Sequence, residues 1–354
     1  MNNKLIKEFK TPISKQSVII GPDCEKDIYI FAIESSCDET AAAIVKNGRE
    51  VIANTVSTQI KTHELYGGVI PEIAAREHLE AINLVIEKTF QDSKMTANDI
   101  TAFAATAGPG LVGSLLVGLN AAKTLAVTWD KPFIGVNHLN AHVCANYLQT
   151  DLKPPFIALL VSGGHTQIIQ VDDYMHQQII GETIDDAAGE AYDKVARLLG
   201  LPYPGGVYLD KLAPSGNKKA FEFPEARVGE FDFSFSGLKT SVLRTVQNLQ
   251  KSSTELPKAD LAASFQERIT KTLLKKTLKV AEKAQYKTIV LAGGVAANSE
   301  IRRKFFDLQD SGYKIYAPEM RFCTDNASMI GSAAYFLCNT FDDLNIEVFS
   351  RGRK

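Results

Sequence analysis

The chain has 354 residues, which suggests about two domains and leaves ample length for a core without disulfides or a structural metal. Its hydrophobic share of 45% and its charged share of 23% are typical of a globular protein. The formal net charge of −2 excludes a strongly polycationic coat for nucleic acid, but it leaves room for a local basic patch.

The five cysteines are widely spaced and form no Cys-x-x-Cys pair, which indicates free thiols in a reducing compartment, so we expect a cytoplasmic protein. Residues 1–27 mix lysines with acidic residues and contain no secretory apolar core, and we interpret them as a short, loosely ordered leader. No apolar run approaches the ~18 residues that a membrane span requires, so we expect no membrane partner.

Strand-length apolar runs alternate with helical periodicity in the first half of the chain, which is typical of α/β structure. A small polar turn separates the first two strands. In chain order, we predict strands at residues 28–33 and 41–45, a long amphipathic helix from Pro71, a strand at 100–106, a glycine-rich loop at 108–113, a helix, a strand at 132–136 and a helix from His138.

The same order restarts with a predicted strand at residues 156–161, a tight turn at 162–166 and a returning strand at 167–171, and a further strand is predicted at 288–291. Two such restarts suggest a duplicated architecture of two α/β domains with mixed sheets flanked by helices. We therefore predict four segments: a leader at 1–27, an N-terminal half at 28–150, a C-terminal half at 151–340 with a helical insertion at about 185–280, and a tail at 341–354.

His138 and His142 are four residues apart in the predicted helix, a spacing that places both imidazoles on one face as two metal ligands require. Asp325 adds a carboxylate, and two His with one carboxylate leave coordination positions open for a substrate. The alternatives are two polar helix residues and an Asp325 that only caps the last helix. Leu139 stands where a zincin peptidase would carry its glutamate, so the general base for peptide hydrolysis is missing.

Three glycine-containing turns follow predicted strands. The first, at residues 108–113, formally matches Gly-x-Gly-x-x-Gly, and it is either a dinucleotide site or a tight strand–helix turn. The others, at 162–166 and 293–294, would let an anionic ligand approach backbone N–H groups, and their matching places predict a nucleotide-type substrate in a cleft between the halves.

Two charged clusters have two possible interpretations each: they either bind a ligand or form a solvated helix face. The first is an acidic helix start that could bind hydroxyl groups, and the second is a basic helical stripe that is the best candidate for RNA contact. They comprise Asp185, Asp186, Glu190 and Asp193, and Arg268, Lys271, Lys275, Lys279 and Lys283.

Several ordered motifs resemble the TsaD family, once called the glycoprotease family, and the resemblance covers roughly residues 28–340. The motifs lie at residues 34–40, 66–72, 123–134 with 138–143, 161–167, 185–193, 203–206, 233–239, 291–298 and 323–326.

The resemblance implies the fold of actin, sugar kinases and the large heat-shock chaperones, and the activity of a tRNA N6-adenosine threonylcarbamoyltransferase. Such enzymes move threonylcarbamoyl from threonylcarbamoyl-AMP to the adenosine beside the anticodon, and bacterial members work with a TsaB-like paralogue and a TsaE-like ATPase. His138, His142 and Asp325 would be the metal ligands, for Fe²⁺ or alternatively Zn²⁺. The substrate-binding positions would be Val161, Ser162, Gly163, Gly164, His165, Asp193, Gly206, Asp210 and Asn298.

With such a partner in view, we expect the apolar face of the predicted helix through Ile73, Ile82 and Val85 to lie partly at a surface and to pair with the TsaB-like protein. The alternative is that this face packs wholly inside the first half.

Asp38 and Glu39, at the first turn, are our candidates for positioning the acceptor amine or taking its proton. Two rival functions stay open. A small-molecule kinase of the same fold would use ATP with Mg²⁺ and would need no His pair. A non-catalytic paralogue should have lost the metal ligands that this chain keeps.

Overall fold

The computed structural model describes residues 20–22, 24–252, 255–338 and 341–351, so most of the predicted leader lies outside the described residues. The described residues form two compact units. The first unit takes the chain up to Thr58, Pro71–Cys144 and the residues from Asn326 onward. The second takes Gln59–Ile70 and Ala145–Asp325.

A five-stranded mixed sheet forms the centre of the first unit. Its strands are β1 (Tyr29–Glu34), β2 (Glu39–Lys46), β3 (Glu50–Thr58), β4 (Ala102–Gly108) and β5 (Phe133–Asn137). The order is β3-β2-β1-β4-β5. The first three strands form an antiparallel meander, and β4 and β5 continue the sheet in parallel from β1.

The sheet of the second unit repeats this topology. Its strands are β6 (Phe156–Val161), β7 (Thr166–Val171), β8 (Gln177–Glu182), β9 (Thr288–Ala292) and β10 (Lys314–Tyr316). Read from β8, the order is β8-β7-β6-β9-β10, again a meander followed by two parallel strands. The predicted class, a duplicated mixed α/β fold, is confirmed. The predicted boundaries of the halves describe where a repeated architecture begins and ends. The two units are defined instead by compactness, so the boundaries stay a prediction.

Helices flank both sheets. Those of the first unit are α2 (Pro71–Ser93), α3 (Val112–Thr128), α4 (His138–Cys144) and α10 (Ala327–Phe336). Those of the second unit are α1 (Ile60–Glu64), α5 (Ala188–Leu198), α6 (Gly205–Leu212), α7 (Ser236–Ser252), α8 (Lys258–Ala284) and α9 (Ser299–Phe306). Within the described part of the chain, no helix has both the length and the apolar run needed to cross a membrane.

The central strands of the first unit are buried along most of their length, because helices cover the sheet. All seven residues of β4 are buried, and most of them are alanine or glycine, whose small side chains allow helices to pack closely. Phe31 of β1 stacks on Phe90 of α2 with ring centroids 4.7 Å apart. Aromatic pairs of this kind stabilise a core beyond the area that they bury.

The amphipathic helix α2 places Ile82 and Val85 in the core, where both are buried. Of the predicted face, only Ile73 is half-buried, so the expectation that Ile82 and Val85 help to form a surface is wrong, because this part of the face packs against the sheet. Leu79 and Leu84 are instead the exposed apolar residues of this helix, at 62% and 67%.

Within the first unit, residues 342–349 pack against the strands β4 and β5. The Phe349 backbone N–H donates to the Ala107 carbonyl at 3.0 Å, and the Asp342 carboxylate accepts from the Gly135 N–H at 2.7 Å. The Ile346 side chain packs against the same core. The segment therefore supports the β4–β5 edge of the sheet.

Gly118 is required where α3 crosses the turn after β1. Its N–H donates to the Ser35 hydroxyl at 3.1 Å, and a Cβ atom at this position would overlap that hydroxyl. Gly237, in the first turn of α7, has no atom within 4 Å of an added Cβ. The two glycines are therefore a matched pair for a stability test.

We expect Gly118→Ala to lower the free energy of unfolding by about 1–3 kcal/mol, because overpacking exceeds the gain in helix propensity. The Gly237→Ala control should leave stability unchanged or raise it by up to ~1 kcal/mol. Urea unfolding of both variants checks this, and an unchanged or raised stability for Gly118→Ala would contradict the close packing.

Candidate functional site

Helix α4 positions the two histidines directly after β5. The Asn137 side chain accepts hydrogen bonds from the N–H groups of Leu139 and Asn140, at 2.9 and 3.3 Å, and so begins the helix at His138. The His138 and His142 rings lie with centroids 4.6 Å apart and their planes at 80°. His142 is buried, and His138 is partly buried.

Asp325 directly precedes the cap of α10. The cap is Asn326, whose side-chain oxygen accepts from the Met329 N–H at 3.1 Å. The capping role considered for Asp325 is therefore wrong, because the neighbouring asparagine has that role. His138 and Asp325 thus each lie next to the asparagine that caps a helix, and His142 lies one turn into α4.

The structure brings His138, His142 and Asp325 together: one ligand atom from each residue lies within 4.8 Å of the others. Two imidazole nitrogens and one carboxylate oxygen are ligands that Zn²⁺ and Fe²⁺ both accept. Such ions bind these atoms at about 2.0–2.2 Å, so small side-chain rotations suffice to place one ion among them. The donor set fits one divalent transition metal with open coordination positions.

Sequence reasoning missed the polar residues behind His138. Glu34, the last residue of β1, has a fully buried side chain whose Oε2 lies 3.1 Å from His138 Nδ1. The Ser36 hydroxyl lies 3.2 Å from the same nitrogen. Two signals were available: Glu34 is an ionisable residue at the end of a strand that is otherwise apolar apart from Tyr29, and it begins the motif at residues 34–40.

Asp38 and Glu39 lie half-buried at the start of β2. The buried His78 of α2 forms hydrogen bonds with the two residues that flank this pair, Cys37 and Thr40. Its Nε2 lies 3.0 Å from the Cys37 carbonyl oxygen, and its Nδ1 lies 2.7 Å from the Thr40 hydroxyl. Since a carbonyl only accepts, Nε2 carries the hydrogen, and burial lowers the pKa of His78.

The predicted substrate turn joins β6 to β7. The Ser162 N–H donates to the His165 carbonyl at 2.8 Å, and the His165 N–H donates to the Ser162 hydroxyl at 3.1 Å. An added Cβ at Gly163 or Gly164 would meet open space. The backbone of this turn is therefore accessible to a ligand.

Two further glycines are needed for close packing around this turn. An added Cβ would lie 2.5 Å from the Ser162 carbonyl oxygen at Gly189 and 2.5 Å from the Val161 carbonyl oxygen at Gly293. Gly293 also has a positive φ of 85°. The turns at residues 162–165 and 293–294 are thus neighbours.

Asp193 of α5 lies beside a cavity of about 730 Å³ in the second unit. Its carboxylate accepts from the Gly206 N–H at 3.0 Å. Burial raises the pKa of this carboxyl, and the backbone donors of Gly206 and Gly205 act in the opposite direction. The cavity lining includes Gly67, Gly163, Glu190, Asp193, Lys194, Arg197 and Tyr203.

Asp210 and Asn298 lie together at the start of α9. Asp210 accepts from both the N–H and the hydroxyl of Ser299, at 3.0 and 2.8 Å. The Asn298 side chain caps the helix by accepting from the Ile301 N–H at 3.0 Å. The predicted substrate residues therefore form two groups, one around the turn and cavity and one at this helix start.

The glycine-rich loop after β4 is a packing feature. An added Cβ at Gly110 would lie 2.7 Å from the Ser36 carbonyl oxygen, and one at Gly108 would overlap the Phe349 carbonyl. Protein backbone, rather than a ligand, approaches both glycines. The structure therefore favours the tight-turn interpretation over a dinucleotide site.

Both charged clusters are largely paired with the protein's own groups. The Asp185 carboxylate accepts from the Phe235 N–H at 2.8 Å, and Asp186 binds Lys194 at 2.9 Å. In the basic stripe, three lysines pair with carboxylates at 2.9–3.0 Å: Lys271 with Glu267, Lys275 with Glu225 and Lys279 with Glu230. This pairing favours a solvated face over an RNA-binding stripe.

The lowered pKa of His78 gives a pH dependence of stability. The unfolded histidine titrates near ~6.5, so between that value and the lower folded pKa the unfolded state binds more protons. The free energy of unfolding should therefore fall as the pH drops from about 7.5 to about 5.5. We expect a smaller fall for His78→Gln, measured by urea unfolding, and equal slopes would contradict the burial of a neutral ring.

Solved structures similar to this chain share its fold. The phosphate- and nucleotide-bound form of full-length HypF matches 90% of this chain and 47% of that longer chain, with a TM-score of 0.64 and 15% identity. The (R)-2-hydroxyglutaryl-CoA dehydratase component A of Acidaminococcus fermentans matches 88% of this chain and 96% of its own, with a TM-score of 0.51 and 17% identity. At these identities the similarity concerns the fold alone.

Sequence comparison identifies the family. The profile of TsaD, tRNA N6-adenosine threonylcarbamoyltransferase, matches residues 50–332. The protein of that name from Clostridioides difficile is 51% identical over 314 residues, 88% of this chain and 93% of its own. Its counterpart from Gloeothece citriformis is 50% identical over 333 residues, 91% of this chain and 96% of its own. With the fold and the two-histidine, one-aspartate cluster, this similarity shows that the chain belongs to the TsaD family of tRNA N6-adenosine threonylcarbamoyltransferases.

Proposed function

We propose that this chain transfers the threonylcarbamoyl group from threonylcarbamoyl-AMP to N6 of the adenosine 3′-adjacent to the anticodon. The acceptors are tRNAs that read codons beginning with A. The observation that carries the proposal is the convergence of His138, His142 and Asp325 in a chain about half identical to transferases of that name. The acceptor base lies in a single-stranded loop, where its edge is accessible without melting a helix.

The donor is a mixed carbamic–phosphoric anhydride and is already activated, so the reaction requires no covalent protein nucleophile. The N6 amine attacks the carbamoyl carbon, a C–N bond forms, the C–O bond to phosphate breaks, and AMP leaves. Asp38 and Glu39 are the carboxylates proposed to position the amine and take its proton. The open backbone at Gly163 and Gly164 is suited to the donor's phosphate.

His138, His142 and Asp325 would hold one divalent ion, for which we propose Fe²⁺ with Zn²⁺ as the alternative. When bound, such an ion supplies Lewis acidity and an anchor for donor oxygen atoms. The protein contributes the orientation of the ligands and the burial of His142. A kinase would not need this His pair. A zincin peptidase would need a glutamate directly after the first histidine, where this chain has Leu139.

We propose that exposed apolar side chains on α2 and α3 form the docking surface for the TsaB-like paralogue. It comprises Leu79, Leu84, Val112 and Leu116, which are between 42% and 67% exposed. Because α2 and α3 pack against each other, apolar side chains that both helices leave exposed are suited to burial against a partner. We further propose that a TsaE-like ATPase serves the same complex, and that the reaction takes place in the cytoplasm.

The docking proposal predicts that Leu79→Glu with Leu84→Glu abolishes co-purification with the paralogue, because two charges would be buried unpaired. Ile179→Glu, at an exposed apolar position on β8 of the other unit, is the matched control and should leave binding unchanged. Unchanged binding of the Leu79/Leu84 variant would contradict the proposed surface.

The activity prediction uses the complete system of chain, partners, metal, threonylcarbamoyl-AMP and unmodified tRNA. Nucleoside analysis should detect N6-threonylcarbamoyladenosine with release of AMP. We expect His142→Ala to abolish product without unfolding the protein, since the core does not depend on a metal. His176→Ala removes an exposed histidine and should keep wild-type activity.

Two results would contradict the proposal. Full modification of the tRNA by His142→Ala would contradict a role of the metal centre in the reaction. Absence of modification by the intact chain, with every component present, would remove the function itself.

A further inference from the structure

Glu34 is a buried carboxylate that the proposed reaction does not use. It ends β1, where it follows four apolar residues, and its side chain has no exposed surface. Burying a carboxylate is costly unless hydrogen bonds and charge compensate for the lost water. The position therefore requires a reason beyond strand packing.

The groups around Glu34 fix the orientation of its carboxylate. The Ser36 N–H donates to Oε1 at 2.5 Å, and the Thr106 hydroxyl donates to Oε2 at 2.6 Å. The adjacent Ser35 hydroxyl donates to the Ser114 carbonyl at 2.8 Å and accepts from the Gly118 N–H. The turn that carries Glu34 is thus held from two sides.

The third partner of Glu34 is His138, whose Nδ1 lies 3.1 Å from Oε2. The two donors from Ser36 and Thr106 stabilise the charged form of Glu34, which only accepts hydrogen bonds, so Nδ1 carries the hydrogen. The unprotonated nitrogen of a neutral His138 is then Nε2, which is the nitrogen that can bind a metal. The structure thereby selects the tautomer that a ligand needs.

We infer that Glu34 is the positioning residue of the metal centre, orienting His138 and raising the basicity of its Nε2 through the Nδ1–H bond. Its charge has a second effect. Two neutral imidazoles with Asp325 supply one negative charge, and Glu34 supplies a second, so the four side chains together balance a divalent ion. The inference rests on the proposed metal site but not on the reaction assigned to it.

The test is the metal affinity of Glu34→Gln, measured by competition of Zn²⁺ with a chromophoric chelator. Gln keeps the shape but loses the charge, and its amide group can donate to Nδ1 and so favour the wrong tautomer. We expect affinity to fall about 10- to 100-fold, as for other carboxylates that bind a ligand histidine. Glu50→Gln, at the exposed start of β3, should bind as wild type.

A second variant and a second measurement keep the inference testable if Glu34→Gln folds poorly. Thr106→Val removes one donor to the carboxylate and should weaken Zn²⁺ binding by less than Glu34→Gln does. In the metal-free protein, ¹⁵N NMR of the imidazoles should show the Nδ1–H tautomer for His138.

Wild-type affinity in both variants, or an Nε2–H tautomer for His138, would overturn the inference and leave Glu34 as a turn residue. The proposed metal site is contradicted separately if the wild-type chain does not bind Zn²⁺, or if His142→Ala binds Zn²⁺ as tightly as the wild type. This inference would then be contradicted as well.

Discussion

The asparagine caps of two helices determine where the proposed metal ligands lie. Asn137 begins α4 directly before His138, and Asn326 begins α10 directly after Asp325. Each cap accepts N–H groups of the first helical turn, an interaction typically worth about 0.5–2 kcal/mol. The backbone beside each ligand is therefore fixed by local hydrogen bonds, and His142 follows one turn later on the same face. A site built in this way does not require the metal to organise it.

The duplicated topology gives the two units the same turn with different chemistry. In both, the first strand of the meander runs into a short turn before its antiparallel partner. Glu34 at the end of β1 and Ser36 in the turn after it have side chains that face His138, a proposed metal ligand. The turn after β6 carries Gly163 and Gly164, whose backbone is open. One architecture thus supplies a turn beside the proposed metal ligands in one unit and a turn with an accessible backbone in the other.

The sequence predicts the central strands well and the edge strands poorly, for a physical reason. The predicted bounds of β6 agree with the structure, because an unbroken apolar run of this length is typical of a strand buried on both faces. Strands β3 and β8 were missed, since each of these edge strands has only one buried residue and so lacks a buried apolar run, and β10 has only three residues. The His pair was predicted because helical spacing is local. Glu34 was missed because its partners Thr106 and His138 are distant in sequence and meet only through strand pairing.

X-ray absorption spectroscopy of the metal-loaded protein tests the central claim most directly, namely that these capped helices hold one ion. We expect one ion per chain, with two imidazole nitrogens and a carboxylate oxygen at about 2.0–2.2 Å. The remaining positions should be taken by exchangeable oxygen or nitrogen ligands. Loss of one imidazole from the spectrum of His138→Ala would agree with this. A sulfur ligand, or a first shell without two imidazoles, would contradict it.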